Sequence, residues 1–244
     1  MRPALVLAAT VALLAGVAAG APRGNAAAPA AGRAVAVGVI DSGIGAGGAG
    51  GHGSGAGGHG GEVAAVLRGA AAARGVRVHL VSLADVNRSG AGQPRLMARE
   101  IRRAAAAGLR VVNISQTIRG RAGRVRRALA AAPDTLFVVA AGNEGLDLAE
   151  PDLERDPCSA PQPNVICVGE LRPGGARAAN SNHGNGIVDA WAPGPGGTSF
   201  AAPRVAAHAA ALLRRHPTWS TRRLRVALVV GRGGRAEPGK GRSA

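Results

Sequence analysis

Gly197-Thr198-Ser199-Phe200-Ala201-Ala202-Pro203 places a serine between a glycine turn and an alanine-rich segment expected to be helical over 201–215. Glycine lets a backbone come close to a bound molecule without a side chain in the way. A helix N-terminus brings unpaired N–H groups and partial positive charge to the residues in its first turn. An oxygen nucleophile needs those conditions when an oxyanion forms beside it. The tripeptide Gly-Thr-Ser alone is also an ordinary helix cap, because serine is a favoured N-cap residue. The decision therefore rests on what lies upstream.

Three upstream blocks carry matching chemistry. Val37-Gly38-Val39-Ile40-Asp41-Ser42-Gly43 reads as a buried strand with a carboxylate at its C-terminal end, followed by a turn. Ligands of open α/β sheets bind at that end. Gly58-His59-Gly60-Gly61-Glu62-Val63 puts a histidine at the start of an apolar helical segment. Val138-Val139-Ala140-Ala141-Gly142-Asn143-Glu144-Gly145 is a strand running into a turn that carries an amide. Taken singly, Asp41 is a turn former, His59 a helix cap and Asn143 a left-handed turn residue. Four such coincidences in one chain, in the order Asp, His, Asn, Ser, argue for a shared site.

With these four blocks the chain resembles the subtilisin-like serine proteases (subtilases), in which Asp, His and Ser occur in that order. Asn113-Ile114-Ser115, Ser181-Asn182-His183-Gly184 and Ala192-Pro193-Gly194 are weaker pieces of the same pattern, and the likeness spans 35–230. It implies Ser199 as nucleophile, His59 as general base and then acid, and Asp41 as the group that orients the imidazole. Asn143 and the Ser199 N–H would form the oxyanion hole. A peptide would lie extended between Ser115-Gln116-Thr117 and Ala140-Ala141-Gly142, pairing by main-chain hydrogen bonds. The implied activity is secreted serine endopeptidase, with an acyl-enzyme intermediate and polypeptide substrates. The alternative is a degenerate, catalytically weak or inactive subtilase that binds peptides.

The chain departs from the family at several points. Thr117 stands where a glycine is usual, and Gly61 where a threonine or serine follows His-Gly. Asp41 and His59 are separated only by glycine-rich chain. Ala192-Pro193-Gly194 runs almost directly into Gly197, without the hairpin-like segment that usually intervenes. A more open substrate pocket is the expected consequence. His52, in a second Gly-His-Gly, lacks a following apolar helix and reads as a loop residue. No Asp/Asn-rich calcium loop or metalloprotease spacing is visible, so neither metal nor other cofactor is expected.

The alternation of the remaining segments points to an α/β fold in three layers, a mainly parallel sheet with helices on both faces. Strands are expected at 76–83, 109–114, 135–140, 164–168 and 187–191, and helices at 95–107, 120–132 and 220–230.

Residues 1–21 carry Arg2, an apolar stretch and Ala19-Gly20-Ala21, the layout of a secretory signal peptide. The stretch is short for an uncleaved membrane anchor. A small-residue linker follows over 22–34, then the catalytic domain over 35–230 and a basic tail over 231–244. The 244 residues accommodate one such domain, with no stable membrane insertion after cleavage and a monomeric state expected. Export, to the periplasm or outside the cell, suits one disulfide between Cys158 and Cys167, two free thiols being the other reading. The net charge of +16 comes almost wholly from arginine, Lys240 being the only lysine. The arginines are scattered through every segment and aromatics make up 2% of the chain, so no stacking platform for bases is present and no specific nucleic-acid partner is expected.

Overall fold

Short runs form one six-stranded sheet, its inner strands rich in valine and isoleucine and apolar on both faces, its two edge strands more polar or shorter. They are β1 (Val35–Asp41), β2 (Val78–Asp85), β3 (Val111–Ile114), β5 (Leu136–Ala140), β7 (Val165–Leu171) and β8 (Ala190–Pro193), in the spatial order β2-β1-β3-β5-β7-β8. Every neighbouring pair is parallel. A separate two-stranded ribbon pairs β4 (Ile118–Arg119) antiparallel with β6 (Arg155–Asp156). The computed structural model describes residues 34–41, 58–85 and 93–230. The expected signal peptide, the linker up to residue 33, the glycine-rich stretch with His52 and the 231–244 tail lie outside the described residues.

Among the described residues five α-helices cover the two faces of the sheet: α1 (His59–Ala72), α2 (Gln93–Ala106), α3 (Gly123–Ala130), α4 (Thr198–Arg215) and α5 (Thr221–Val230). The period-two alternation of strand side chains sorts the core into two halves. Phe137 and Val139 of β5 pack with Met97 and Ile101 of α2 and Leu129 of α3. Leu136, Val138 and Ala140 of the same strand pack with Val63 and Leu67 of α1, Val205 of α4 and Leu224 of α5. The result is the three-layer α/β arrangement expected from sequence.

Strand boundaries differ from the sequence reading by at most three residues, and the ribbon β4–β6 was not foreseen. Two-residue strands carry no periodicity to detect. The helix expected over 201–215 begins three residues earlier, at Thr198. Helix α3 is shorter than 120–132 because Gly120 has φ +71° and Asn164 ends it, donating to the Leu129 and Ala132 carbonyls.

The chain leaves β1 for β2 on one side and later reaches β3 on the other, so strand order reverses about β1. In an open parallel sheet that reversal opens a crevice at the carboxyl ends of the strands. Asp41 ends β1 and Ser115 follows β3, so both stand at its mouth.

Candidate active site

The site is assembled from the segments that leave β1, β3 and β5, together with the first turns of α1 and α4. Asp41 is fully buried at the end of β1. His59 is the first residue of α1, and its Nδ1 lies 2.7 Å from Asp41 Oδ1. That bond raises the imidazole pKa above its ordinary 6.5, with the charges of Asp41 and Glu62 adding to it and burial opposing it. Bonded through Nδ1, the ring lines a pocket of about 270 Å³ that Ser199 also lines. Phe200 packs at 5.7 Å from the imidazole, ring centre to ring centre. Gln116 Nε2 approaches the same Asp41 oxygen at 3.5 Å.

Ser199 sits in the first turn of α4 and is 8% exposed. Among the described residues its hydroxyl makes one long hydrogen bond, donating to the Ser115 carbonyl at 3.5 Å. The Ser115 hydroxyl in turn donates to the Ser199 carbonyl at 3.1 Å and accepts from Asn113 Nδ2 at 3.0 Å. Pro203 explains this second bond. An α-helix would satisfy the Ser199 carbonyl with the N–H of residue 203, and proline has none. The side chain of Ser115 supplies the missing donor and ties the start of α4 to the end of β3.

Asn143 is held from one side only. Its Oδ1 accepts from the Thr198 N–H at 2.8 Å and from the Thr198 hydroxyl at 3.0 Å. With the oxygen anchored by a main-chain donor, the orientation of the amide is fixed and its NH₂ points away from Thr198. The Thr198 hydroxyl also accepts from the Gly142 N–H at 3.0 Å, so one side chain locks two consecutive residues of the 141–146 turn. Gly197 makes room for this contact: its φ is +128°, and a Cβ there would stand 3.0 Å from Asn143 Nδ2. Asn182, fully buried, holds the turn from beneath. Its Oδ1 accepts from the Glu144 and Leu146 N–H groups, and its Nδ2 donates to the Ala141 carbonyl and to Glu144. Thr198 was passed over in the sequence as part of a cap. Its spacing to Asn143 across 55 residues leaves no local signature.

The segments expected to hold a peptide behave differently from each other. Ser115, Gln116 and Thr117 line one wall of the pocket, Ala140 and Gly142 the opposite wall. On the second wall the main-chain groups are already occupied. The Ala141 N–H donates to Val168 O, and the Gly142 carbonyl accepts from the Asn182 N–H. With Thr198 and Asn182 engaging the other two groups, neither Ala141 nor Gly142 keeps a free N–H for an added strand, and each carbonyl already accepts one bond. The first wall keeps the Gln116 N–H and C=O and the Thr117 N–H open among the described residues. A larger hollow of about 430 Å³, lined by none of Asp41, His59 and Ser199, is bordered by 170–175, Pro193 and Pro195. It lies against the short 193–197 connection.

Cys158 and Cys167 form a disulfide. Among the described residues no group of three or more His, Cys, Asp or Glu side chains is placed to hold a metal ion, and no helix is long and apolar enough to cross a membrane.

The subtilase family model matches residues 32–232. The chain belongs to the subtilase family. Among solved structures, it resembles a cold-adapted subtilisin-like serine proteinase at 24% identity and TM-score 0.64, over 79% of this chain and 80% of the other. It resembles the protease domain of PatA at 26% identity and TM-score 0.63, covering 78% and 84%. It also resembles MycP1 with its N-terminal propeptide removed, at 26% identity and TM-score 0.61, covering 78% and 81%. A comparison with curated protein sequences gave no match.

Proposed function

We propose that this subtilase is an exported serine endopeptidase working through Asp41, His59 and Ser199. The observation that carries the reading is the 2.7 Å Asp41–His59 bond beside a pocket shared with Ser199. Asp41 fixes the proton on Nδ1, which leaves the other ring nitrogen as the base. The Ser199 hydroxyl rotates from the Ser115 carbonyl towards that nitrogen as substrate enters and attacks the scissile carbonyl. His59 takes the hydroxyl proton and then gives it to the leaving amine. An ester bond joins the acyl group to Ser199, and water activated by His59 releases it. Asn143 Nδ2 and the Ser199 N–H donate to the tetrahedral oxyanion. The substrate chain pairs with Gln116 and Thr117 on one side and rests against Ala140 and Gly142 on the other. The disulfide and the N-terminal 1–21 pattern support export, because such bonds persist in oxidising compartments.

The degenerate, peptide-binding reading draws on the short 193–197 connection. Against it stands the retained anchoring of Asn143 by Thr198, which a binding protein has no need to keep. Fluorophosphonate labelling of the purified chain tests the choice. The expected result is one label per chain, lost in Ser199→Ala and strongly reduced in His59→Ala, with His52→Ala unchanged. A folded wild-type protein that takes no label would refute catalysis.

A further inference from the structure

Four of the arginines that look scattered in the sequence come together at one place in the fold. Arg95 and Arg102 on α2, with Arg124 and Arg127 on α3, surround a concavity of about 340 Å³ floored by Ala98, Ala128 and Ala131. Arg95 and Arg102 are seven residues apart, about two turns, and so share a helix face. Arg124 and Arg127 are neighbours on theirs. All four side chains are exposed, while Ala98 and Ala128 are buried. The groove floor is thus rigid core packing, and its rim is four cations.

Among the described residues no acid pairs with this rim, and the paired acids on or beside the two helices are engaged by other arginines. Glu100 pairs with Arg99 and Arg103, Glu154 with Arg121 and Arg126, and Asp156 with Arg126. Arg95, Arg102, Arg124 and Arg127 make no side-chain hydrogen bond or ion pair among the described residues. Four like charges around one hollow repel one another, so an anion that enters gains from all four at once.

From this geometry we infer that the α2–α3 groove is a binding site for clustered phosphates: two or three phosphate groups joined in one ligand. Guanidinium forks match phosphate oxygens two at a time. Each phosphate ester brings about −1.5 to −2 charges and three acceptor oxygens. A carboxylate brings one charge and two acceptor oxygens, so more groups, each on its own stem, would have to enter the same hollow of about 340 Å³ to deliver that charge. No aromatic side chain borders the groove, so bases have nothing to stack on. The same chemistry could reach the groove as a free linear polyphosphate or as a two-phosphate phospholipid headgroup. The site is on the helical layer formed by α2 and α3, and it does not depend on the proposed catalysis.

The test uses the full chain with sodium tripolyphosphate, measured by calorimetry. One variant carries Arg95→Gln, Arg102→Gln, Arg124→Gln and Arg127→Gln. A control removes the same charge elsewhere, with Arg68→Gln, Arg214→Gln, Arg215→Gln and Arg222→Gln on the opposite layer. A lighter variant, Arg102→Gln with Arg127→Gln, guards against misfolding, and unfolding midpoints are recorded for all. The expected result is saturable binding weakened at least tenfold in the groove variant, measurably in the lighter one, and less than twofold in the control. Equal weakening in groove and control variants would reduce the effect to net charge and overturn the site, as would absence of binding to wild type. A parallel arm uses phosphatidylcholine vesicles with and without cardiolipin. Groove-dependent binding to cardiolipin vesicles supports the headgroup source, and groove-dependent binding to tripolyphosphate alone supports the free one. An oligothymidylate that outcompetes both at the groove would overturn the assignment in favour of nucleic acid.

Discussion

The bond from the Ser115 hydroxyl to the Ser199 carbonyl makes a quantitative claim about why α4 starts where it does. Ser115→Ala removes the donor to that carbonyl and the acceptor of Asn113 Nδ2, both in a buried region. Leaving one buried polar group unsatisfied costs about 1–3 kcal/mol, and a typical hydrogen bond contributes about 1. A combined loss of about 2–3 kcal/mol follows, which lowers the melting temperature by roughly 4–12 °C for a domain of this size. Pro203→Ala restores the N–H that a regular helix would aim at the Ser199 carbonyl. In that background the carbonyl is no longer orphaned, so Ser115→Ala should cost about 1–2 kcal/mol less. The intrinsic gain from replacing a helical proline is common to both arms of the double-mutant cycle and cancels. Urea denaturation of the four proteins measures the coupling. All carry Ser199→Ala, which keeps the main-chain carbonyl and prevents self-digestion. Additivity within about 0.3–0.5 kcal/mol, the scatter expected of independent sites, would refute the link between Ser115 and Pro203.

Other outcomes follow from the same geometry. Since His59 must be neutral to act as base and its pKa is raised, the rate of fluorophosphonate labelling should fall as pH drops, with a midpoint above 6.5; a midpoint at or below 6.5 would remove the Asp41 bond from the explanation. The same raised pKa means that the Asp41–His59 pair contributes fully to stability below pH 6.5 and loses that contribution as pH rises through the folded-state value. Asn143→Ala should lower kcat by about 10²–10³ with little change in KM, a magnitude established for subtilisin and not worked out from this structure. Thr198→Val should lower kcat about tenfold and Thr198→Ser should restore it; equal loss in both would assign Thr198 to packing alone. Reduction of the Cys158–Cys167 bond should cost roughly 2–3 kcal/mol of unfolding free energy by loop entropy, read as a shift in denaturation midpoint. Digestion of a mixed peptide library should show no single dominant residue before the cut, given the short 193–197 connection; one sharp preference at full subtilase rates would show that the missing segment matters little.

The fold was legible in sequence where a run of apolar residues was long enough to show its period. The β1, β3 and β5 strands announce themselves in this way, and so do α1 and α4. Asp41, His59, Asn143 and Ser199 stand out in sequence because each lies at the end of a strand or the start of a helix, which is a local signal. Thr198, Asn182 and the side-chain role of Ser115 were not found. Their work is done across 36 to 84 residues of chain, through hydrogen bonds from side chains to distant backbone groups. Serine, threonine and asparagine in turns look the same in sequence whether they cap their own segment or a distant one. The arginine groove was hidden for the same reason, because α2 and α3 contribute its two sides from separate stretches.

The sheet brings the ends of β1, β3 and β5 into one crevice, but strand ends alone are too coarse to set a distance between a nucleophile and an oxyanion donor. A misplacement of about 1 Å can cost about a hundredfold in rate. Here that finer adjustment comes from side chains that replace missing or competing backbone bonds: Ser115 for the N–H that Pro203 lacks, Thr198 for the Gly142 N–H, Asn182 for the 144–146 turn. Each ties one segment of the site to another, so the 141–146 turn, the β3 exit and the start of α4 form a single hydrogen-bonded unit. Its members should respond together. Loss of Asn182, remote from Ser199 in sequence and fully buried, should displace Asn143 by freeing its turn and lower kcat more than it raises KM. A change in KM alone on Asn182→Ala would show that the turn keeps its place without that support and that the unit is less connected than its bonds imply.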